Sequence, residues 1–291
     1  MSTLLKIEFT ISEEEADEAG VFIAARVPHG WEETPDGDGR RITLYLEDHP
    51  LAMEMVKAFE ARFPGSGVRW SEQESENWAM AWKDFFNPVN CGGTFTILPP
   101  WLENGSENGT THIVIEPKMA FGTGHHPTTS LCLTTIGELA GRKAIAPGGA
   151  FLDLGTGSGI LGIGLAKLGL TGIGLDTDPQ AVVCARENIE ANGVGSAMCT
   201  AVGSIDCLDP GLPFDIVVAN ILSGPLIEMA GDILAHVRPG GCLILSGILA
   251  DRQKDAVAET YMRLGIGKPA IVVEGEWACL VWDRVGGHRR P

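Results

Sequence analysis

Apolar and polar positions alternate near the start of the chain. Leu5, Ile7, Phe9 and Ile11 fall on one face with period two, as a half-buried strand requires. Ser12 followed by Glu15 has capping-box spacing and predicts a helix running toward residue 25. Beyond a Pro, Gly and Asp-rich loop at residues 35–39, Ile42, Leu44 and Leu46 repeat the strand period, residues 51–63 read as a helix, and a short strand is expected near residues 68–71. Together these predict a small α+β domain over residues 1–72, a sheet backed by two helices in the ferredoxin-like manner. The pattern changes at about residue 150. Apolar runs at 150–154, 172–176, 214–219 and 242–246 alternate with helical stretches, the mark of βαβ units and a doubly wound, mainly parallel α/β sheet that binds ligands at the carboxyl ends of its strands. Runs at 271–274 and 278–283, with only Gly275, Glu276 and Trp277 between them, predict a closing antiparallel hairpin. Residues 73–110 read as a connecting segment, with Trp78, Trp82 and Phe85 on one face of a linker helix and a flexible loop at 104–109; residues 111–285 complete the second domain.

The chain has 291 residues, room for about two domains. With 44% apolar and 20% charged residues it has ample material for packed cores, which excludes wholesale disorder. Lys and Arg number 21 against 38 Asp and Glu, and the net charge of −17 disfavours phosphate backbones and favours a basic protein as partner, although solubility alone also accounts for it. Acidity is denser toward the start: residues 1–100 hold 8 basic and 18 acidic side chains, a net of −10, and the remaining 191 hold 13 and 20, a net of −7. Seven cysteines stand singly, with no CxxC pair and no Cys/His spacing suited to zinc, and read as reduced thiols. The N-terminus lacks a basic start before a long apolar stretch, and no apolar run approaches the roughly 18 residues that span a bilayer, so a cytoplasmic protein without membrane contact is expected. No heptad pattern points to obligate assembly, and a monomer is expected.

Chemistry concentrates at the predicted strand ends. Residues 151–161 (FLDLGTGSGIL) run from a strand through a glycine-rich turn into a helix, where a ligand can lie against bare backbone and helix-start amides. A dinucleotide fingerprint needs glycine at the sixth position from Gly155, where Ile160 stands. The GxGxG spacing with Asp153 two residues ahead of it is instead the pattern of class I methyltransferases that bind S-adenosylmethionine. Asp176, 21 residues after Gly155, ends the next strand, where an acidic side chain accepts hydrogen bonds from both ribose hydroxyls of an adenosine. Asp178, ahead of Pro179, is the expected helix cap, which leaves Asp176 for the ribose. Asn220, at the end of a third strand, is the candidate catalytic residue, directing its amide oxygen toward an incoming amine. Ile221 and Leu222 follow it where enzymes that methylate planar nitrogens carry prolines and an aromatic clamp, which argues for aliphatic amines. Residues 119–129 (MAFGTGHHPTT) form a loop ahead of a helix that Thr128 or Thr129 would cap. His125 and His126 are each a candidate base or a structural loop residue; no Asp, Glu or Cys completes a metal set beside them, and no metal is expected.

WAMAWKDFFN (78–87), AFGTGHHPTT (120–129), DLGTGSGILGIG (153–164), Asp176 in LDTDPQAV (175–182), REN (186–188), VANILSGPL (218–226), LSGIL (245–249) and GEWACLVW (275–282) together resemble the ribosomal protein L11 methyltransferase (PrmA) family over about residues 75–285. Before residue 72 only the size and element order agree. The resemblance implies a class I methyltransferase domain, a linker helix and an N-terminal substrate-recognition domain. It implies S-adenosylmethionine as cofactor and, as substrate, the basic ribosomal protein of the large-subunit stalk base, methylated on its N-terminal α-amine and lysine ε-amines. Position by position, it implies that Thr129, Gly155, Asp176 and Asn220 contact S-adenosylmethionine, with Phe121, Gly157 and Ile221 as neighbours. Thr156 stands where many members carry Cys. Two other readings stay open: a methyltransferase of another protein or small-molecule amine, and a non-catalytic module that binds S-adenosylmethionine. A nucleic-acid methyltransferase ranks below both, on charge and on the missing clamp.

Overall fold

In the computed structural model, residues 3–12, 15–24, 31–37, 39–46, 49–74, 88–105, 109–116 and 126–286 are described. Trp78, Trp82 and Phe85 of the expected linker helix lie outside them, as do Phe121 and His125. The chain divides into two units, Met1–Phe86 and Asn87–Pro291. Among the described residues no helix is long and apolar enough to cross a membrane.

The first unit runs β1 (Thr3–Ser12), α1 (Ala16–Ala24), β2 (Glu32–Asp36), β3 (Gly39–Leu46), α2 (His49–Arg62) and β4 (Arg69–Glu74). Its sheet has the order β2-β3-β1-β4 with antiparallel pairs throughout, the ferredoxin-like arrangement. Register places Leu5, Ile7 and Phe9 opposite Leu46, Leu44 and Ile42, and all six are buried beneath the two helices. The Phe9 and Phe59 ring centroids lie 3.7 Å apart. Two local expectations change. Pro35 and Asp36 are strand rather than loop: β2 is an exposed edge strand, where Pro is tolerated because no inner neighbour needs its amide. Ser12 Oγ donates to the Glu15 carboxylate at 2.7 Å just ahead of α1, a side-chain link in place of the expected amide cap.

The second unit opens with a small sheet, β5 (Val89–Cys91), β6 (Phe95–Leu98) and β7 (Thr111–Val114), whose Cys91, Phe95, Ile97 and Ile113 enter the unit's main core. It continues through α3 (Pro127–Gly141), β8 (Ala150–Leu154), α4 (Ile160–Lys167), β9 (Thr171–Asp176), α5 (Pro179–Ala191), β10 (Met198–Val202), β11 (Phe214–Asn220), α6 (Ser223–Glu228), α7 (Ala230–Ala235), β12 (Val237–Leu249), α8 (Lys254–Arg263), β13 (Ala270–Glu274) and β14 (Trp277–Trp282). The seven strands lie in the order β10-β9-β8-β11-β12-β14-β13. β8 to β12 are parallel and β14 is antiparallel to both its neighbours, as the hairpin spacing predicted, although Trp277 is already strand and pairs with Glu274. Period two divides the strands between two cores: Phe151, Val218 and Ile244 face α3 and α4, whereas Leu152, Val217 and Leu245 face α6, α7 and α8. β12 begins at Val237, earlier than its apolar run, because Val237 pairs with Phe214 across an irregularity in register.

Candidate active site

The order of the parallel sheet reverses between β8 and β11, and such a switch point opens a crevice at the carboxyl ends. Leu175, Leu154 and Ala219 form one row across β9, β8 and β11, so Asp176, Gly155 and Asn220 emerge together at that edge. At about 4.8 Å per strand, Asp176 and Asn220 flank Gly155 with about 10 Å between them. The turn after β8 is built on left-handed backbone, with Gly155, Gly157 and Gly159 at φ of +72°, +54° and +84°. A Cβ on Gly155 would stand 2.2 Å from Ile221 Cγ2, and one on Gly247 2.3 Å from the Ile221 carbonyl oxygen, so Ile221 is held between two bare backbones.

Hydrogen bonds fix this turn from below and from the side. The amides of Gly155 and Thr156 both donate to the Leu175 carbonyl, at 2.8 and 2.9 Å. Asp153 Oδ2 accepts from the Thr156 hydroxyl at 2.7 Å and from the Gly162 amide at 2.9 Å. Asp153 is 1% exposed; burial pushes its carboxyl up to about 6, against the two hydrogen bonds that favour its ionised form and with help from the neighbouring Asp176 charge. Asp176 is engaged too, because Oδ2 accepts from the Gly157 amide at 2.8 Å and Oδ1 from the Asp178 amide at 3.0 Å. Each oxygen keeps a second lone pair for a ligand hydroxyl. Asp178 caps α5 as expected, accepting from the Gln180 amide at 2.8 Å.

The first turn of α3 reaches the same edge. His126 lies against Trp277, with ring centroids 4.8 Å apart, and Trp277 pairs with Leu249 at the carboxyl end of β12. His126, rather than Thr128 or Thr129, is the helix cap: its Nδ1 accepts from the Thr128 amide at 3.3 Å and lies 2.8 Å from the Thr128 hydroxyl. That lone pair is therefore committed to the helix, which argues against His126 as a base. Thr129, freed from capping, is fully buried.

Four buried side-chain atoms have no hydrogen-bond partner among the described residues, and three of them, Thr129 Oγ1, Asp153 Oδ1 and Asn220 Oδ1, belong to the segments just described. Buried polar atoms are normally satisfied, so this concentration fits a polar ligand that completes them. The arrangement suits S-adenosylmethionine, with bare backbone at the turn, a carboxylate at one side, and orphaned oxygens of Thr129 and Asn220. Among the described residues no three His, Cys, Asp or Glu side chains converge as a metal site.

Two residues escaped the hydrophobic pattern. Asn188 lies in the last turn of α5 and Asn192, one turn on, is its C-cap; the Asn188 amide donates to the Ser158 carbonyl at 2.8 Å and accepts from the Glu116 amide at 3.3 Å. Asn192 brackets Val114, accepting from its amide at 2.9 Å and donating to its carbonyl at 2.6 Å. The available signal was Asn at positions i and i+4 on the face that carries Ala181, Ala185 and Ile189 into the core.

The family described as ribosomal protein L11 methyltransferase (PrmA) matches residues 10–285. A relative named ribosomal protein L11 methyltransferase from Geobacter sulfurreducens is 45% identical over 212 residues, covering 72% of this chain and 67% of the relative. One of the same name from Laribacter hongkongensis is 38% identical over 263 residues, covering 89% and 81%. Among solved structures, a ribosomal protein L11 methylase from Lactobacillus delbrueckii subsp. bulgaricus is similar with a TM-score of 0.60 and 27% identity, covering 69% of this chain and all of that one.

Proposed function

This chain belongs to the ribosomal protein L11 methyltransferase (PrmA) family, and from that membership we propose that it transfers methyl groups from S-adenosylmethionine to the N-terminal α-amine and lysine ε-amines of ribosomal protein L11. The observation that carries the reading is the convergence of Gly155, Asp176 and Asn220 at one sheet edge, with unpartnered buried oxygens on Thr129 and Asn220. Bound S-adenosylmethionine supplies a methyl group on an electrophilic sulfonium. Asp176 accepts from the ribose hydroxyls, and the glycine turn lets the ligand approach backbone with Gly157 and Ile221 alongside. Thr129 offers its hydroxyl, and Phe121 is assigned to the same pocket by the family resemblance.

Asn220 has the catalytic part. Its Oδ1 accepts an N–H of the incoming amine, which aims the nitrogen lone pair along the line of the methyl transfer, and alignment of this kind supplies most of what the reaction needs. A lysine amine has a pKa near 10.4, so the pocket must take the neutral form, and burial of the amine beside Ile221 favours it. The acidity of residues 1–100, a net of −10, steers a basic protein toward the chain, and residues 1–72 are the part that recognises it. A cytoplasmic monomer acting on the stalk-base protein fits this chemistry. The test is labelled methyl transfer to the purified proteins of the large ribosomal subunit. Label on L11 alone supports the proposal, and label on none of them, or on another protein, overturns it.

A further inference from the structure

Asn188 is 2% exposed and sits in the last turn of α5, where a buried polar side chain must satisfy itself inside the core. Its amide group joins two pieces of chain that are 42 residues apart, Glu116 and Ser158. Ser158 lies inside the glycine turn, one residue beyond the Gly157 amide that is bonded to Asp176. Glu116 follows β7, which pairs with β6 in the small sheet whose Phe95, Ile97 and Ile113 enter the core. Only a side chain that donates and accepts from one short rigid group makes this bridge, and Asn does both. Asn192, the C-cap of α5, bonds both backbone groups of Val114 and donates to the Asn188 carbonyl at 2.8 Å, and among the described residues it makes no bond to the glycine turn.

We propose that Asn188 is a positioning residue for cofactor binding, its buried amide fixing the Ser158 carbonyl of the glycine turn to the Glu116 amide that follows β7, so that the turn is anchored to the small sheet. The inference rests on the reading of this sheet edge as the S-adenosylmethionine site. It extends that reading to a residue that touches no ligand.

The experiment is calorimetric titration of the full chain with S-adenosylhomocysteine, for wild type, Asn188→Ala, Asn192→Ala and Asp176→Ala, each at a temperature where its thermal melt shows it folded. Asn188→Ala raises Kd about tenfold or more, whereas Asn192→Ala, which lowers the melting temperature comparably, leaves Kd within about twofold. Equal Kd shifts for the two Asn variants overturn the proposal. Where Asn188→Ala does not fold, Asn188→Asp takes its place, since it keeps the shape and the acceptor for Glu116 and removes the donor to Ser158. Unchanged affinity in Asp176→Ala sinks the site reading itself; weakened affinity there, with Asn188→Ala at the wild-type Kd, sinks only the role of Asn188.

Discussion

Replacing Asp153 by Asn tests the buried carboxylate beneath the glycine turn. Its carboxyl is pushed up to about 6 in the fold, chiefly by burial, against 3.8 for the unperturbed group. The shift of about 2 pK units corresponds to about 3 kcal/mol at 1.36 kcal/mol per unit. Its sign follows from which state holds the proton more tightly. The folded state does, so the stability it confers is fully present below pH 3.8 and lost as pH rises through about 6, with about half of the loss between pH 5 and 7.5. Asn carries no charge and can still present an oxygen to the Thr156 hydroxyl and the Gly162 amide, the two donors that Asp153 Oδ2 now serves. Urea unfolding of wild type and Asp153→Asn without cofactor, followed at several pH values through a probe in the second unit, isolates this group from the other titrating residues. The stability of wild type relative to the variant should fall by about 1.5 kcal/mol from pH 5 to pH 7.5. A difference that stays flat across that range would refute the claim that Asp153 is held in a charge-hostile environment.

Asp176→Ala should weaken S-adenosylmethionine binding by about 1 to 3 kcal/mol in calorimetry, since it removes the proposed ribose acceptor together with the anchor of the Gly157 amide; an unchanged affinity contradicts the ribose assignment. Gly155→Ala places a Cβ on backbone at φ +72° and 2.2 Å from Ile221 Cγ2, so a loss of about 2 kcal/mol or more in stability, with cofactor binding lost, is expected from melts and titration. His126→Ala removes the α3 cap and should cost about 1 kcal/mol in thermal stability. At saturating substrates its methyl-transfer rate should keep the wild-type pH profile, and loss of a limb of that profile would restore His126 as a base.

Much of the fold is legible in the sequence because burial on one or two faces writes itself into the pattern. β1 and β3 alternate cleanly, and β8, β9, β11 and β12 are apolar runs because helices cover both faces of their sheet. β2 is silent for the opposite reason: Glu32, Glu33, Thr34 and Pro35 are all exposed, so nothing in the pattern marks a strand that exists only as the edge partner of β3. The pieces at 89–98 are three and four residues long, too short for periodicity to separate from a connecting segment. At the site, glycine spacing and the acidic and amide strand ends are legible because a sharp turn at a sheet edge restricts which residues serve there. The hydrogen-bond partners are not. Asp176, left for the ribose because Asp178 takes the cap, also accepts from two backbone amides; Thr128 or Thr129 read as the cap, yet the neighbouring His126 takes that role and leaves Thr129 buried with its hydroxyl unpartnered among the described residues. The spacing of Asn188 and Asn192 on a buried face marks them as satisfied polar residues, but their partners Glu116 and Val114 lie more than 70 residues away and nothing local names them.

The most direct measurement is the intact mass of purified ribosomal protein L11 after incubation with this chain and S-adenosylmethionine, in parallel with Asn220→Ala and followed by peptide mapping. Wild type should produce a ladder of single methyl additions that maps to the α-amine and lysine ε-amines, and Asn220→Ala should slow it about a hundredfold. An unmodified mass, with cofactor binding to the wild-type chain confirmed by calorimetry, would contradict methyl transfer to L11 and point to another amine or to a chain that binds the cofactor without turnover.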